Sequence, residues 1–524
     1  MVNHRSSLAI LFLVLLFSSK SFSQDSLVRI QELKFSSNLE KKNFTKYFKD
    51  KDPGSLTSLL LATNSAMSEE KDSQIRREIN ALENSLTISG IQKRKPQRKI
   101  KEVYDFVHRA MLRKYELECR FDQIFVNGVY NCVTATALFA LIFDDLKIPY
   151  QIKEKPTHVY LLAYPNVENI MVETTSPLFG YLTFDNDYKQ KFITILKNQK
   201  IISSNEIGKK STDELFNQYY FENENIDLAK LVGIHYMNDA IFKKDKDQIQ
   251  EAYNQLEKSY LFYPSPRCQF LLMNYGVEVV VRIKLPPKEK SILIAKVSRY
   301  KDQGITVDMI KGEFYALSQD VLFRENNKRL YKECYELLLA GVHDKEMSDE
   351  ISYIYFYENG RAFFNQENYT SAKPFFEKAL KLQPNNVDLN KIFVTILSQA
   401  FRRMDDNKTL LDSITYYHDN FPVLTQYNSF NSSFAYAYLI QFQNEFASGH
   451  ADLGNKYRLV FEEAWRLHKG MNISESEIGN AYSAAIEYYN RRQQKVTAKE
   501  LLKKGPEISP NNYRLGFFRQ TLGK

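Results

Sequence analysis

The chain has 524 residues and a net charge of +8, from 71 lysines and arginines against 63 acidic residues. That length is too great for one hydrophobic core and calls for about two to four domains. The charge excess is mild and calls for no nucleic-acid partner, and the four cysteines, with no CxxC among them, build neither a zinc site nor a disulfide scaffold.

Residues 1–23 read as a targeting segment. Asn3, His4 and Arg5 make a short polar, basic start, and Leu8 to Phe17 is an apolar run about half as long as a bilayer span requires. Ser21-Phe22-Ser23 then supplies small residues for cleavage before Gln24. No cysteine follows at that point, so a lipid anchor is not indicated, and no later stretch is long and apolar enough to span a membrane. The expected product is exported, periplasmic or extracellular, and not membrane-spanning. Loss of Arg5 and Lys20, with no acid, lowers the net charge from +8 to +6.

Residues 24–97 read as a helical lead-in. Apolar residues of SLTSLLLATNSAM and IRREINALENSLTI recur at three and four, as in amphipathic helices, and Pro53-Gly54 marks a turn before the first. The densest basic cluster, Lys93, Arg94, Lys95, Arg98 and Lys99 around Pro96, reads as a solvated linker entering a helix.

Residues 98–190 carry the chemistry. In KIKEVYDFVHRAMLRKY, Ile100, Val103, Tyr104, Val107 and Met111 share a helix face, with His108 beside the stripe as a structural histidine. Asn131 is placed to cap a strongly apolar helix from Cys132 to Leu146. QIKEKPTHVYLLAY and IMVETT follow as strands, with Pro165-Asn166 as the turn between them. Cys132 therefore stands at a helix N-terminus, where the dipole and free N–H groups favour a thiolate. His158 opens one strand and Glu173 lies in the next, in the order that a thiol nucleophile, its base and the base's orienting acid require. An even turn length puts His158 and Glu173 on one face, and a two-residue turn puts them directly opposite. A Cys119–Cys132 disulfide is the rival reading, and it would remove the nucleophile.

The segment from about Lys99 to Tyr188 resembles the transglutaminase-like domains of the papain-type cysteine enzymes. The resemblance rests on KEVYDFVHRAM, on GVYNCVTATALFALIFDDLKIPYQI around Cys132, on THVYLLAY with His158 and on VETT with Glu173. It implies an α+β domain in which Cys132 is nucleophile, His158 base and Glu173 the orienting acid. The implied reactions are amide hydrolysis, peptide cleavage or acyl transfer, all through a thioester. That family usually has Asp where this chain has Glu173.

Residues 191–524 read as an all-α array. Tyr353 to Asn386 resembles the tetratricopeptide repeat: Phe356, Gly360 and Phe363 in a first helix, Ala372, Phe376 and Ala379 in a second, and Pro384 closing. Only Asn359 departs from the pattern. Weaker copies carry Ala252, Leu256, Ser259 and Pro264, and Tyr482, Ala485, Tyr489, Ala498, Leu502, Gly505 and Pro510. The closing prolines are not separated by multiples of thirty-four residues, so the hairpins between them must be irregular. Such arrays bind peptides or protein partners in a concave groove. The sequence as a whole reads as an exported cysteine hydrolase or acyltransferase with a protein-binding array, needing no cofactor and no metal. The alternative is a catalytically inactive domain in an interaction or cell-envelope scaffold protein.

Overall fold

A computed structural model describes residues 27–522 apart from 156, 166, 177–179, 183–185, 199–201, 204, 205, 207 and 221–223. The expected targeting segment, and Pro156, Asn166 and Pro177, lie outside the described residues. The chain divides into two compact units, residues 1–284 and 285–524. The boundaries read at 97/98 and 190/191 both fall inside the first unit.

The first unit opens with three helices, α1 (Asn38–Asp50), α2 (Ser55–Leu61) and α3 (Glu69–Ile88). Ser37 and Ser68 cap α1 and α3 by accepting from the backbone N–H three residues on, which satisfies a donor the helix leaves open. α4 (Pro96–Met111) starts on a proline, whose missing N–H costs nothing there, and buries Ile100, Val103, Tyr104, Val107 and His108. The basic cluster before it is mostly exposed, with Arg94 and Arg98 both on Glu102. The segment from Leu112 to Gly128 contains β1 (Lys114–Tyr115) and the short α5 (Gln123–Asn127), and β2 (Val129–Tyr130) then pairs with β1 in parallel.

α6 (Cys132–Asp145) is apolar on every side, and ten of its residues are buried. It packs on β3 (Tyr150–Lys155) and β4 (His158–Ala163), the middle of a five-stranded antiparallel sheet. The sheet order is β6-β5-β4-β3-β7, with β5 Ile170–Val172, β6 Tyr181–Leu182 and β7 Glu224–Ile226. β7 lies in a stretch read as wholly helical. It is short and without alternation, and pairing with β3 (Ile152 opposite Ile226) is what makes it a strand. Between β6 and β7, α7 (Asn186–Asn198) and α8 (Thr212–Tyr220) pack on each other, and Phe216 of α8 meets Leu162 of β4.

The unit ends in α9 (Leu228–Asp245), α10 (Ile249–Phe262) and α11 (Pro266–Arg282), stacked in sequence. The weak repeat copy lies here: Ala252, Leu256 and Ser259 are buried, and the Ser259 hydroxyl donates to Gly233 O at 2.8 Å. α9 also packs on α6 and α2. A buried cluster ties α1 to this end. Lys258 Nζ lies 2.8 and 2.9 Å from the two carboxylate oxygens of Glu40, and Tyr236 Oη donates to Glu40 Oε1 at 3.0 Å.

The second unit is all-helical among the described residues: α12 (Pro287–Ser298), α13 (Val307–Ser318), α14 (Lys328–Gly341), α15 (Lys345–Phe364), α16 (Tyr369–Leu382), α17 (Val387–Phe401), α18 (Asn407–Asn420), α19 (Asn428–Ala447), α20 (Ala451–Leu467), α21 (Glu475–Arg491), α22 (Lys495–Ile508) and α23 (Tyr513–Leu522). α15 and α16 form the expected hairpin. A Cβ on Gly360 would sit 3.0 Å from the Phe376 ring, so glycine is what lets the two helices meet. Asn359, the departing residue, is buried and donates to Tyr355 O at 2.8 Å. α21 and α22 form the C-terminal copy, with Tyr482 against Gly505. Hairpins beginning at Lys345, Val387, Asn428 and Glu475 lie further apart than the thirty-four residues of a regular repeat. The unit is a helical-repeat array with one shared core running from Ala372 to Leu515.

Candidate functional site

α6 begins at the sulfur-bearing residue because Asn131 stops the backbone there. Asn131 is extended, its side chain accepts from Thr134 N at 2.9 Å, and the Thr134 hydroxyl accepts from Asn131 N at 2.9 Å, a reciprocal cap. The Asn131 amide also donates to Leu117 O at 3.0 Å and Cys119 O at 3.3 Å, fixing the preceding loop against the helix start. Cys132 is thereby left half-buried at the first helical position, among the N–H groups for which a helix has no internal partner.

Strand register brings up the other two groups. β4 and β5 pair with Leu161 opposite Val172, and one further step puts Glu173 opposite Tyr160. The turn takes residues 164–169, with Tyr164 and Asn169 in the left-handed region, so His158 and Glu173 are diagonal and not directly opposite. A shift of two residues keeps the face, and the glutamate spans the diagonal. His158 Nε2 lies 2.7 Å from Glu173 Oε2. Glu173 Oε1 accepts from the Thr175 hydroxyl at 2.7 Å and Thr175 N at 3.2 Å. With Nε2 on the acid, Nδ1 is the ring nitrogen left for the sulfur.

The electrostatics follow that geometry. A hydrogen bond with Cys132, then the one with Glu173, raise the His158 imidazole to about 9 against the opposing effect of burial. Burial pushes Glu173 up, but His158 and Thr175 outweigh it and hold the carboxyl below its ordinary value. The three residues read from the sequence are therefore brought together. Cys119 is not bonded to Cys132: all four cysteines are free thiols. Cys119 is buried, donates to Val129 O at 3.2 Å and is pushed up to about 12, chiefly by burial, so it is inert where Cys132 is not enclosed.

Supporting residues escaped the sequence reading. Tyr104 Oη lies 3.1 Å from Glu173 O and 2.6 Å from Ser176 O, anchoring the loop that carries the acid. Thr136 of α6 meets Thr174 at 3.1 Å, pinning the same loop from the other side. The VETT run contained Thr174 and Thr175, but no pattern ties a threonine to a helix two strands earlier. Tyr115 stands beside Tyr130 through the β1–β2 register, and the charges of Cys132 and Glu173 reinforce the upward effect of burial on its phenol. His108 is structural: it is buried against Tyr104, Tyr130 and Phe139, with burial lowering its pKa.

Cys132 and His158 open into one cavity of about 250 Å³. A larger cavity of about 690 Å³ in the same unit is lined by Arg76, Glu83, Asp144 and Asp145 and includes none of the three residues. No group of three or more His, Cys, Asp or Glu placed to hold a metal occurs among the described residues, and no helix there is long and apolar enough to cross a membrane.

No family model matches the chain, and no curated protein matches it. Among solved structures it is similar to one titled as the functional characterization of Pseudomonas aeruginosa PilF, at 13% identity over 55% of this chain and 97% of that chain, with a TM-score of 0.16. A tetratricopeptide repeat protein from Parabacteroides merdae matches at 14% identity over 56% of this chain and 99% of that chain, with a TM-score of 0.18. Superpositions of that quality bear no weight, and the repeat architecture rests on the helix pairs themselves.

Proposed function

We propose that Cys132, His158 and Glu173 form the active centre of an exported, transglutaminase-like cysteine hydrolase or acyltransferase, and that the helical array binds its protein substrate or partner. The observation that carries this is the His158–Glu173 hydrogen bond of 2.7 Å on a ring that shares one cavity with Cys132. A ring so held keeps the proton near neutral pH, so the thiol proton already rests on His158 when the sulfur adds to an amide carbonyl. The C–S bond forms, the C–N bond breaks, and the proton passes from His158 to the leaving amine. Water or a second amine then attacks the thioester, gives its proton to His158 and releases the thiolate. The Thr134 N–H is taken by Asn131, and the Cys132 N–H is the donor assigned to the oxyanion. Acceptance of a protein partner is supported by the paired-helix architecture of the second unit, which in such arrays leaves an extended concave face.

Alkylation by iodoacetamide tests the centre. Cys132 labels near neutral pH faster than Cys268 does in the denatured chain, and His158→Ala removes the difference. Labelling of native Cys132 no faster than that of Cys268 in the denatured chain sinks the enzymatic reading and leaves an interaction protein with an inactive domain.

A further inference from the structure

The cavity beside the sulfur has two unlike sides. One is the reacting side, with Cys132 and His158. The other is mostly apolar: Leu117 from the loop before α5, and Ile234, Met237, Ile241 and Phe242 from α9, with Asn238 among them. The α9 residues recur at three and four, so a single helix face looks into the cavity. Ile234 and Met237 are buried and held in place, while Ile241 and Phe242 are half-buried. α9 packs on α6, so this wall and the sulfur belong to one rigid assembly. Lys155 and Arg267 also line the cavity, together with Glu154, which accepts from Tyr263 Oη at 2.7 Å. At about 250 Å³ the space is below the roughly 300–1,000 Å³ of sites for drug-sized ligands, and suits one side chain.

We infer that this cavity is the acyl-side specificity pocket and that it takes an uncharged, aliphatic side chain of leucine or methionine size next to the scissile amide. The inference rests on the thiol reading above and adds the substrate class. An aliphatic group leaves the apolar wall dry. An ammonium placed there loses hydration against the α9 wall, where Asn238 is the polar side chain, and meets Lys155 and Arg267; a carboxylate finds those two cations as partners and is opposed by the apolar wall alone.

The test alkylates the full chain with chloromethyl ketones of N-acetylated leucine, aspartate and lysine, beside iodoacetamide, reading modification of Cys132 by mass spectrometry. In each case the sulfur forms a C–S bond, and chloride leaves from the ketones and iodide from iodoacetamide. The leucine reagent is expected to react at least about tenfold faster than the lysine one, and faster also than the aspartate one, whose carboxylate Lys155 and Arg267 partner. Ile241→Glu, at a half-buried position, is expected to erase that preference and Ile241→Val to keep it, each read as the ratio of the ketone rates within one variant. Fast iodoacetamide labelling with equal rates for the three ketones overturns the pocket assignment alone. Slow iodoacetamide labelling of the native chain overturns the thiol reading and the pocket with it.

Discussion

At position 173 the length of the side chain matters. The β4–β5 register sets Glu173 diagonal to His158, and the extra methylene over aspartate is what carries a carboxylate oxygen to 2.7 Å from Nε2. The consequence can be read on the ring itself. His158 is raised from its ordinary 6.5 to about 9, first by Cys132 and then by Glu173. A group raised in the fold adds stability that is full below its unfolded value and vanishes as pH rises through the folded one, so this contribution is present below about 6.5 and gone above about 9. Imidazole titration by NMR is expected to show a midpoint near 9 in the native chain. Glu173→Gln keeps the size, removes the charge and lowers the midpoint by about 1 unit or more. A midpoint unmoved by that change would remove Glu173 from its orienting role. The three residues were legible in the sequence because helix start, strand start and acid came in a meaningful order. The diagonal offset was not, because it depends on a turn of six residues that only tertiary packing selects.

Elements are positioned here by buried polar contacts that no periodicity reveals. α1 is tied to α9 and α10 by Glu40, which receives Lys258, Tyr236 and the Ser36 hydroxyl and N–H. Both side chains of the ion pair are almost wholly enclosed, at 1% and 0% exposure. Breaking such a pair strands a charge and typically costs about 3–5 kcal/mol, whereas replacing both partners by apolar residues is often neutral. Lys258→Ala is therefore expected to lower the protection of α10 amides in native-state hydrogen exchange by that amount, and Lys258→Met with Glu40→Leu to restore most of it. A loss confined to the exposed Lys42–Glu69 pair's surroundings would show that α1 is held elsewhere. The amphipathic helices before residue 97 were readable from spacing, as was the Asn131 cap from its residue type. β7 was not, since Glu224 to Ile226 has no alternation and owes its state to the free edge of β3.

On the scale of the whole chain, a repeat-like look and a repeat-like role part company. Ala252, Leu256 and Ser259 follow the repeat pattern, yet α9, α10 and α11 fall within the first unit, and α9 packs on the helix that carries Cys132. Small residues at helix crossings are demanded wherever two helices approach closely, in an array or against a sheet domain, so the pattern marks a hairpin and not its owner. The best repeat, Tyr353 to Asn386, was legible because Gly360 and Phe376 are both needed at one crossing. Two truncations separate these views. Residues 27–284 contain the sheet, β7 and the α9 wall, and are expected to give a cooperative unfolding transition with the native iodoacetamide rate at Cys132. Residues 27–190 lack β7 and α9, which leaves the edge of β3 unpaired and uncovers the apolar side chains of α6, and they are expected to aggregate or to show no cooperative transition. Circular dichroism on heating, with the labelling rate beside it, reads both. A stable, normally reactive 27–190 fragment would mean that the thiol domain completes its core without the helical hairpins.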